Sequence, residues 1–173
     1  MLNTSEFFDF IQTKGVDFST GVPDSLLKDF CAYVADNSND IIAANEGACI
    51  GIAAGYHLAT GKIPLVYMQN SGFGNTINPL TSLTDPEVYS IPMLLMVGWR
   101  GRPGVKDEPQ HVKMGRINEA MIESLEIPYC ILSKDMAEAQ KQIDKAFEYM
   151  STEKAPYILL IEKETFEPYK LKS

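Results

Sequence analysis

A chain of 173 residues that is 45% hydrophobic and 22% charged lies in the ordinary globular range, and at this length folding buries roughly 70% of the unfolded surface. Its formal charge of −8 argues against nucleic acid or an anionic membrane as partner, because those surfaces call for clustered Lys and Arg to displace counterions. No apolar run of about 20 residues occurs, Met1 to Phe10 carries Glu6 and Asp9 instead of a basic leader, and Cys31, Cys49 and Cys130 are odd in number and lack C-x-x-C spacing. The expectation is a cytoplasmic protein without disulfides, zinc or membrane spans.

Apolar, β-branched runs alternate with helix-like stretches along the whole chain, the pattern of a parallel sheet covered on both faces. In chain order the reading is a helix over 4–14, a strand over 17–20, a helix over 24–37 and a strand over 40–43. A helix over 46–60, a strand over 63–67, a helix over 76–83 and a strand over 93–97 follow. A helix over 115–125, a strand over 129–132, a helix over 135–150 and a strand over 157–161 complete it. The fold class is α/β: a doubly wound, six-stranded, mostly parallel sheet with helices on both faces. The stretch from Gly98 to Lys113 has no clear periodicity, holds Gly98, Gly101, Pro103, Gly104 and Pro109, and is expected to be a mobile surface loop. One domain, 1–164, is expected, with 165–173 as a tail or connector.

In an open α/β sheet, ligands gather beyond the carboxyl ends of the strands, so the turns there carry the candidate chemistry. After the first strand, Gly21-Val22-Pro23-Asp24-Ser25 offers a carboxylate and a hydroxyl, although Pro and Asp also start helices for local reasons. After the second, Asn45-Glu46-Gly47-Ala48 opens a helix containing Gly47, Gly51 and Gly55. Glycine costs about 1 kcal/mol in a helix relative to alanine, so three of them imply close approach by another element or subunit. Glu46 would stand at that contact, while the plainer role of a first-turn Glu is to complement the helix dipole. After the third strand, Gln69-Asn70-Ser71-Gly72-Phe73-Gly74-Asn75 is a polar turn without the Lys of a P-loop or a full dinucleotide fingerprint, so phosphate cradling is unsupported. His111 follows Arg100, Arg102 and Lys106 in the glycine-rich stretch. It suits proton handling near neutral pH, and the three basic residues suit an anion, offset in part by Asp107 and Glu108. A solvated loop is the plainer alternative.

Taken together, the Gly21 to Ser25 turn, the Asn45 to Ala48 helix start with Gly51 to Tyr56, and the stretch from Tyr67 to Leu83 resemble the pyrimidine-binding domain of thiamine-diphosphate enzymes. Tyr67-Met68-Gln69-Asn70-Ser71-Gly72, Asn75 to Leu83 and the loop through Glu108-Pro109-Gln110-His111 are most similar to the phosphonopyruvate decarboxylase family and to the alpha subunits of sulfopyruvate decarboxylases. The resemblance implies that Glu46 hydrogen-bonds the aminopyrimidine ring of thiamine diphosphate and activates it. It implies that Gln69, Asn70, Ser71, Gly72 and Asn75 contact the cofactor, and that Asp24, Ser25 and His111 orient substrate or relay its proton. Ser25, Arg100, Arg102 and Lys106 would bind a small anionic 2-oxo acid, with phosphonopyruvate giving phosphonoacetaldehyde and CO2.

Members of that family also use a domain with a G-D-G motif and a downstream Asn, which holds Mg2+ and the diphosphate; neither is found in this sequence. The resemblance therefore implies a diphosphate-binding domain or beta subunit as partner, a homo- or hetero-oligomer, and little activity in the isolated chain. Sulfopyruvate is the alternative substrate, and a noncatalytic α/β module that binds a ligand or partner is the alternative of another class.

Overall fold

The computed structural model describes residues 1–170. Its sheet has six strands, β1 (Phe18–Gly21), β2 (Asn39–Ile42), β3 (Leu65–Gln69), β4 (Leu94–Gly98), β5 (Tyr129–Ile131) and β6 (Tyr157–Ile161), in the order β2-β1-β3-β4-β6-β5. Every pairing is parallel, so the mostly parallel sheet expected from the sequence is wholly so. Side chains of the inner strands alternate between the two faces. Leu65, Tyr67, Leu94, Met96, Tyr157, Leu159 and Ile161 enter one core, and Val66, Met68, Leu95, Val97, Ile158 and Leu160 enter the other. Burial on both faces explains why these strands read as unbroken apolar runs.

The helices divide accordingly. On the first face lie α1 (Thr4–Thr13), α2 (Lys28–Asn37) and α6 (Met136–Glu153); on the second lie α3 (Glu46–Thr60) and α5 (Pro109–Ser124). Local chemistry marks their ends. Asn3, Asn45 and Asp135 accept backbone N–H groups of Glu6, Ala48 and Glu138, which satisfies donors that a helix start leaves open. Gly61 closes α3 at φ +73°, a conformation that glycine adopts without a Cβ penalty.

Besides shifts of one to three residues, such as β3 at 65–69 for the expected 63–67 and α6 ending at 153 for the expected 150, three regions differ from the sequence reading. α2 begins at Lys28, because Asp24 Oδ2 accepts the N–H of Leu26 at 3.1 Å and holds 24–27 as a turn. α5 begins six residues early, at Pro109, whose missing N–H costs nothing in a first turn. The remaining loop, 99–108, is tied down instead of free: Trp99 Nε1 donates to Gly115 O at 2.8 Å, and Gly101 and Gly115 lie against backbone with no room for a Cβ. Third, residues 70–84 form a 3-10 turn (Asn70–Thr76), one α turn, α4 (Ile77–Pro79), and a π turn (Leu80–Thr84). Of the segment expected as a tail, 165–173, the last three positions lie outside the described residues; Leu2 pairs with Phe166, and Thr165 and Phe166 are buried. Among the described residues no helix is long and apolar enough to cross a membrane, and Cys31, Cys49 and Cys130 are free thiols.

Phe30 is the hub of the first core, with its ring 5.4–6.4 Å from those of Phe7, Phe8, Tyr67 and Phe166. Phe30→Ala is expected to destabilise the fold by about 3–5 kcal/mol, read as a lower urea midpoint with an unchanged slope.

Candidate active site

All six strands point the same way, so the turns after β1, β2, β3 and β4 converge on one edge of the sheet. Two groups of polar side chains form there. In the first, Glu46 stands in the first turn of α3, half-buried, and its Oε2 accepts a hydrogen bond from Asn75 Nδ2 at 2.9 Å. A Cβ placed on Gly72 would lie 2.0 Å from Glu46 Oε1 and 2.1 Å from Cδ; only glycine lets the turn after β3 close over this carboxylate. Gly47 serves the same approach, with Asn75 O 2.7 Å from where its Cβ would be. Glu46 forms no ion pair among the described residues, which leaves Oε1 as an acceptor without a protein donor. Gln69 Nε2 donates to Ser71 Oγ.

The second group surrounds Arg100, whose side chain is 16% exposed. Its Nε and NH2 donate to Asp107 Oδ2 and Oδ1 at 2.8 and 2.5 Å, and NH1 donates to Ser25 Oγ at 2.6 Å. The Arg100 guanidinium holds the Asp107 carboxyl well below the usual carboxylate range. Ser25, Arg100, Arg102 and Lys106 all line a single pocket of about 660 Å3, together with Lys28 and Lys134. The sequence reading did not include Lys28 or Lys134, which reach the pocket from α2 and from the loop after β5. Nothing in sequence spacing connects these positions. Arg102 is committed within the pocket: it pairs with Glu162 and lies 5.4 Å from the centre of the Trp99 ring.

Asn70 joins the two groups. It is fully buried, its Nδ2 donates to Arg100 O at 2.9 Å and its Oδ1 accepts Arg100 N–H at 3.2 Å. The structure thus spends the Asn70 side chain on the backbone of the β4 turn, five residues before Asn75 grips Glu46.

Asp24 and Ser25, adjacent in sequence, part company. Ser25 is exposed at the pocket, whereas Asp24 is 5% exposed and lies behind it. Gly98 makes room there, since a Cβ would meet Asp24 Oδ2 at 2.2 Å. Asp24 Oδ1 has no hydrogen-bond partner, and burial pushes the carboxyl above its ordinary value against the pull of backbone N–H groups and of Arg100. His111 occupies the first turn of α5, half-buried. Its imidazole makes no hydrogen bond among the described residues and does not line the pocket, while its backbone carbonyl packs against Gly101, between Arg100 and Arg102. Among the described residues no cluster of His, Cys, Asp and Glu could hold a metal ion.

The sequence profile of a family described as "Thiamine pyrophosphate enzyme, N-terminal TPP binding domain" matches residues 4–122. Phosphonopyruvate decarboxylase of Streptomyces hygroscopicus is 32% identical over 170 residues, covering 93% of this chain and 40% of that protein. Sulfopyruvate decarboxylase subunit alpha of Methanococcus maripaludis is 36% identical over 164 residues, covering 93% of this chain and 95% of the subunit. The chain thus spans well under half of the phosphonopyruvate enzyme and nearly all of the alpha subunit. The crystal structure of benzoylformate decarboxylase from Polynucleobacter necessarius superposes over 100% of this chain and 32% of its own with a TM-score of 0.76 at 18% identity, which shows a common fold.

The raised Asp24 pKa carries a sign. The folded state holds this proton to higher pH than the unfolded chain, so stability present below the ordinary carboxylate value is lost as pH rises through the folded pKa. Asp24→Asn removes that loss. Relative to the parent, the variant is expected to gain urea resistance as pH is raised from the acid side towards neutrality; a parallel pH dependence in both proteins would refute the buried acid.

Proposed function

We propose a function from the premise that this chain belongs to the thiamine pyrophosphate enzymes, as their N-terminal TPP binding domain: it activates thiamine diphosphate for decarboxylation of a 2-oxo acid, phosphonopyruvate, to phosphonoacetaldehyde and CO2. The seat of Glu46 carries the proposal. One carboxylate oxygen is held by Asn75, the other has no protein donor, and Gly72 keeps the space over the carboxylate free of side chain. A residue serving only the helix dipole would need neither the grip nor the glycine.

These residues fit the cofactor's aminopyrimidine ring. The free oxygen of Glu46 suits a ring N–H, and Gln69, Ser71, Gly72 and Asn75 supply the wall beside it. Thiamine diphosphate, when bound, supplies the electron sink for the pair released with CO2. The chain supplies the rest: Glu46 accepts and returns a proton at its free oxygen, Asn75 fixes which oxygen that is, and Ser25 presents a hydroxyl to the substrate from the turn after β1. Asn70 acts one step removed, by holding the β3 and β4 turns in register.

The diphosphate and its Mg2+ are assigned to a partner, a diphosphate-binding domain or beta subunit, and the working enzyme to an oligomer of the two. Support comes from α3. Gly47 is explained inside the chain, but Gly51 and Gly55 have nothing within 4 Å of a built Cβ. Ile41, Ile42 and Ile77 stand 40–64% exposed in the segments that flank Glu46. Open glycines beside exposed isoleucines form a face suited to close packing by another chain. The free thiols fit a reducing compartment such as the cytoplasm. A second reading, the alpha subunit of a sulfopyruvate decarboxylase, is favoured by the 95% coverage of the M. maripaludis subunit.

The test is CO2 release from phosphonopyruvate and from sulfopyruvate with thiamine diphosphate, Mg2+ and a matching diphosphate-binding half. Turnover of either acid establishes the decarboxylase and names its substrate; silence with both, given proven assembly, points to another 2-oxo acid or to a noncatalytic role. Glu46→Gln is expected to lower turnover by about 10²- to 10⁴-fold while its thermal melt matches the parent. Near-full activity in that variant would remove Glu46 from the mechanism.

A further inference from the structure

The pocket beside Ser25 has a charge opposite to that of its chain. Six basic and four acidic residues line it, whereas the whole chain carries −8. Three of the basic groups are occupied: Arg100 by Asp107, Arg102 by Glu162, and Lys134 by the same Glu162 at 3.9 Å and by Lys163 O at 2.6 Å. Lys28, Lys106 and Lys163 form no ion pair among the described residues, and the first two belong to the segments that carry the Ser25–Arg100 contact, Lys28 in the first turn of α2, three residues after Ser25, and Lys106 beside Asp107.

Arg100 complements them. A guanidinium has five N–H donors, of which two go to Asp107 and one to Ser25, so two remain. The bidentate grip of Asp107 and the clamp of Asn70 on its backbone fix the plane of the fork. Asp107 also cancels most of its net charge. The residue is therefore a directional donor set with little charge of its own, and the two lysines are charges with little direction.

We infer that the corner formed by Ser25, Arg100, Lys28 and Lys106 is a specificity subsite for a tetrahedral oxyanion, the phosphonate or sulfonate at the far end of a 2-oxo acid. Arg100 and Ser25 set its orientation, and Lys28 and Lys106 set its charge. This deepens the decarboxylase reading and rests on it for the identity of the ligand, though not for the existence of the anion site. Arg102, paired with Glu162 and laid against Trp99, shapes the pocket wall. Asp107 and Asn70 are positioning residues that act through Arg100.

Two arms test the subsite. In the first, the complex assembled with its diphosphate-binding half is assayed on phosphonopyruvate, sulfopyruvate and pyruvate, which lacks the oxyanion, for the parent, for Lys28→Ser with Lys106→Ser, and for Arg100→Lys. Each variant is expected to raise KM for the two oxyanion acids by about tenfold or more relative to KM for pyruvate, with a smaller change in kcat, and the double variant to lose most of the salt dependence of KM. Whichever acid shows the larger loss identifies the natural head group. Equal changes in KM for all three acids would overturn the inference. In the second arm, methylphosphonate and methanesulfonate are titrated into the 173-residue chain and followed by side-chain NMR. Binding by the parent that weakens in the double variant supports the site, and binding unaffected by the substitutions removes it. Loss of probe binding in the variants together with no turnover of any 2-oxo acid by the assembled parent would keep the anion site and discard the decarboxylase.

Discussion

A buried amide with nowhere to hydrogen-bond costs about 1–3 kcal/mol, and Asn70, fully buried at the end of β3, avoids that cost in one way: it takes both the N–H and the C=O of Arg100. The turn after β3 and the turn after β4 are thereby one rigid unit, spanning the sheet at its carboxyl edge. Both polar groups at that edge are tied to this unit. Five residues beyond Asn70, Asn75 reaches Glu46; from Arg100 itself, the side chain reaches Ser25 and Asp107. Loosening the clamp would move the carboxylate and the guanidinium relative to each other without touching either.

Glycine sets the distances within this frame. Gly72 lies against Glu46, and Gly98 lies against Asp24, so each of the two acids at the strand ends is covered by backbone where any other residue would interpose a side chain. The outcomes differ because the covers differ. Glu46 is only half-buried and keeps an oxygen available. Asp24 is nearly sealed, and the missing partner for its Oδ1 leaves burial as the leading influence on its proton. Adjacent residues of a single turn thus divide into an exposed hydroxyl, Ser25, and a sealed acid behind it.

The sheet was legible in the sequence because every central strand is buried on two faces and reads as an apolar run, and α3 was legible because Asn45, Glu46 and Gly61 mark both of its ends. What was illegible depended on contacts between distant residues. Asn70 looked like a ligand contact because a polar turn after a strand often is one; nothing in Gln69 to Asn75 says that its amide faces inward to Arg100. The bond between Asp107 and Arg100 was visible only as an offset of charge, and a stretch read as mobile for its glycines uses Gly101 to pack on the carbonyl of His111. Lys28 entered the pocket unannounced, since its place follows from the late start of α2, and that start follows from one hydrogen bond of Asp24.

On the proposed reading, one small domain reads two ligands at a single edge of its sheet. The second face of the sheet carries α3 and presents Glu46 beside glycines that no other described part of the chain packs against, while the pocket gathers its cations from α2, the β4 turn and the loop after β5. Parallel topology puts both at the same edge, and the 70–76 turn spans the distance between them. Cofactor and anion recognition, on that reading, share a single mechanical element: Asn75 at one end of that turn holds the Glu46 carboxylate, and Asn70 at the other end holds the backbone of Arg100. A substitution in the turn that shifts one must shift the other. If the pocket takes the substrate anion as proposed, its charge is most easily changed where it is not coupled to the turn, at Lys28 and Lys106, and least easily at Arg100, whose backbone the turn already holds.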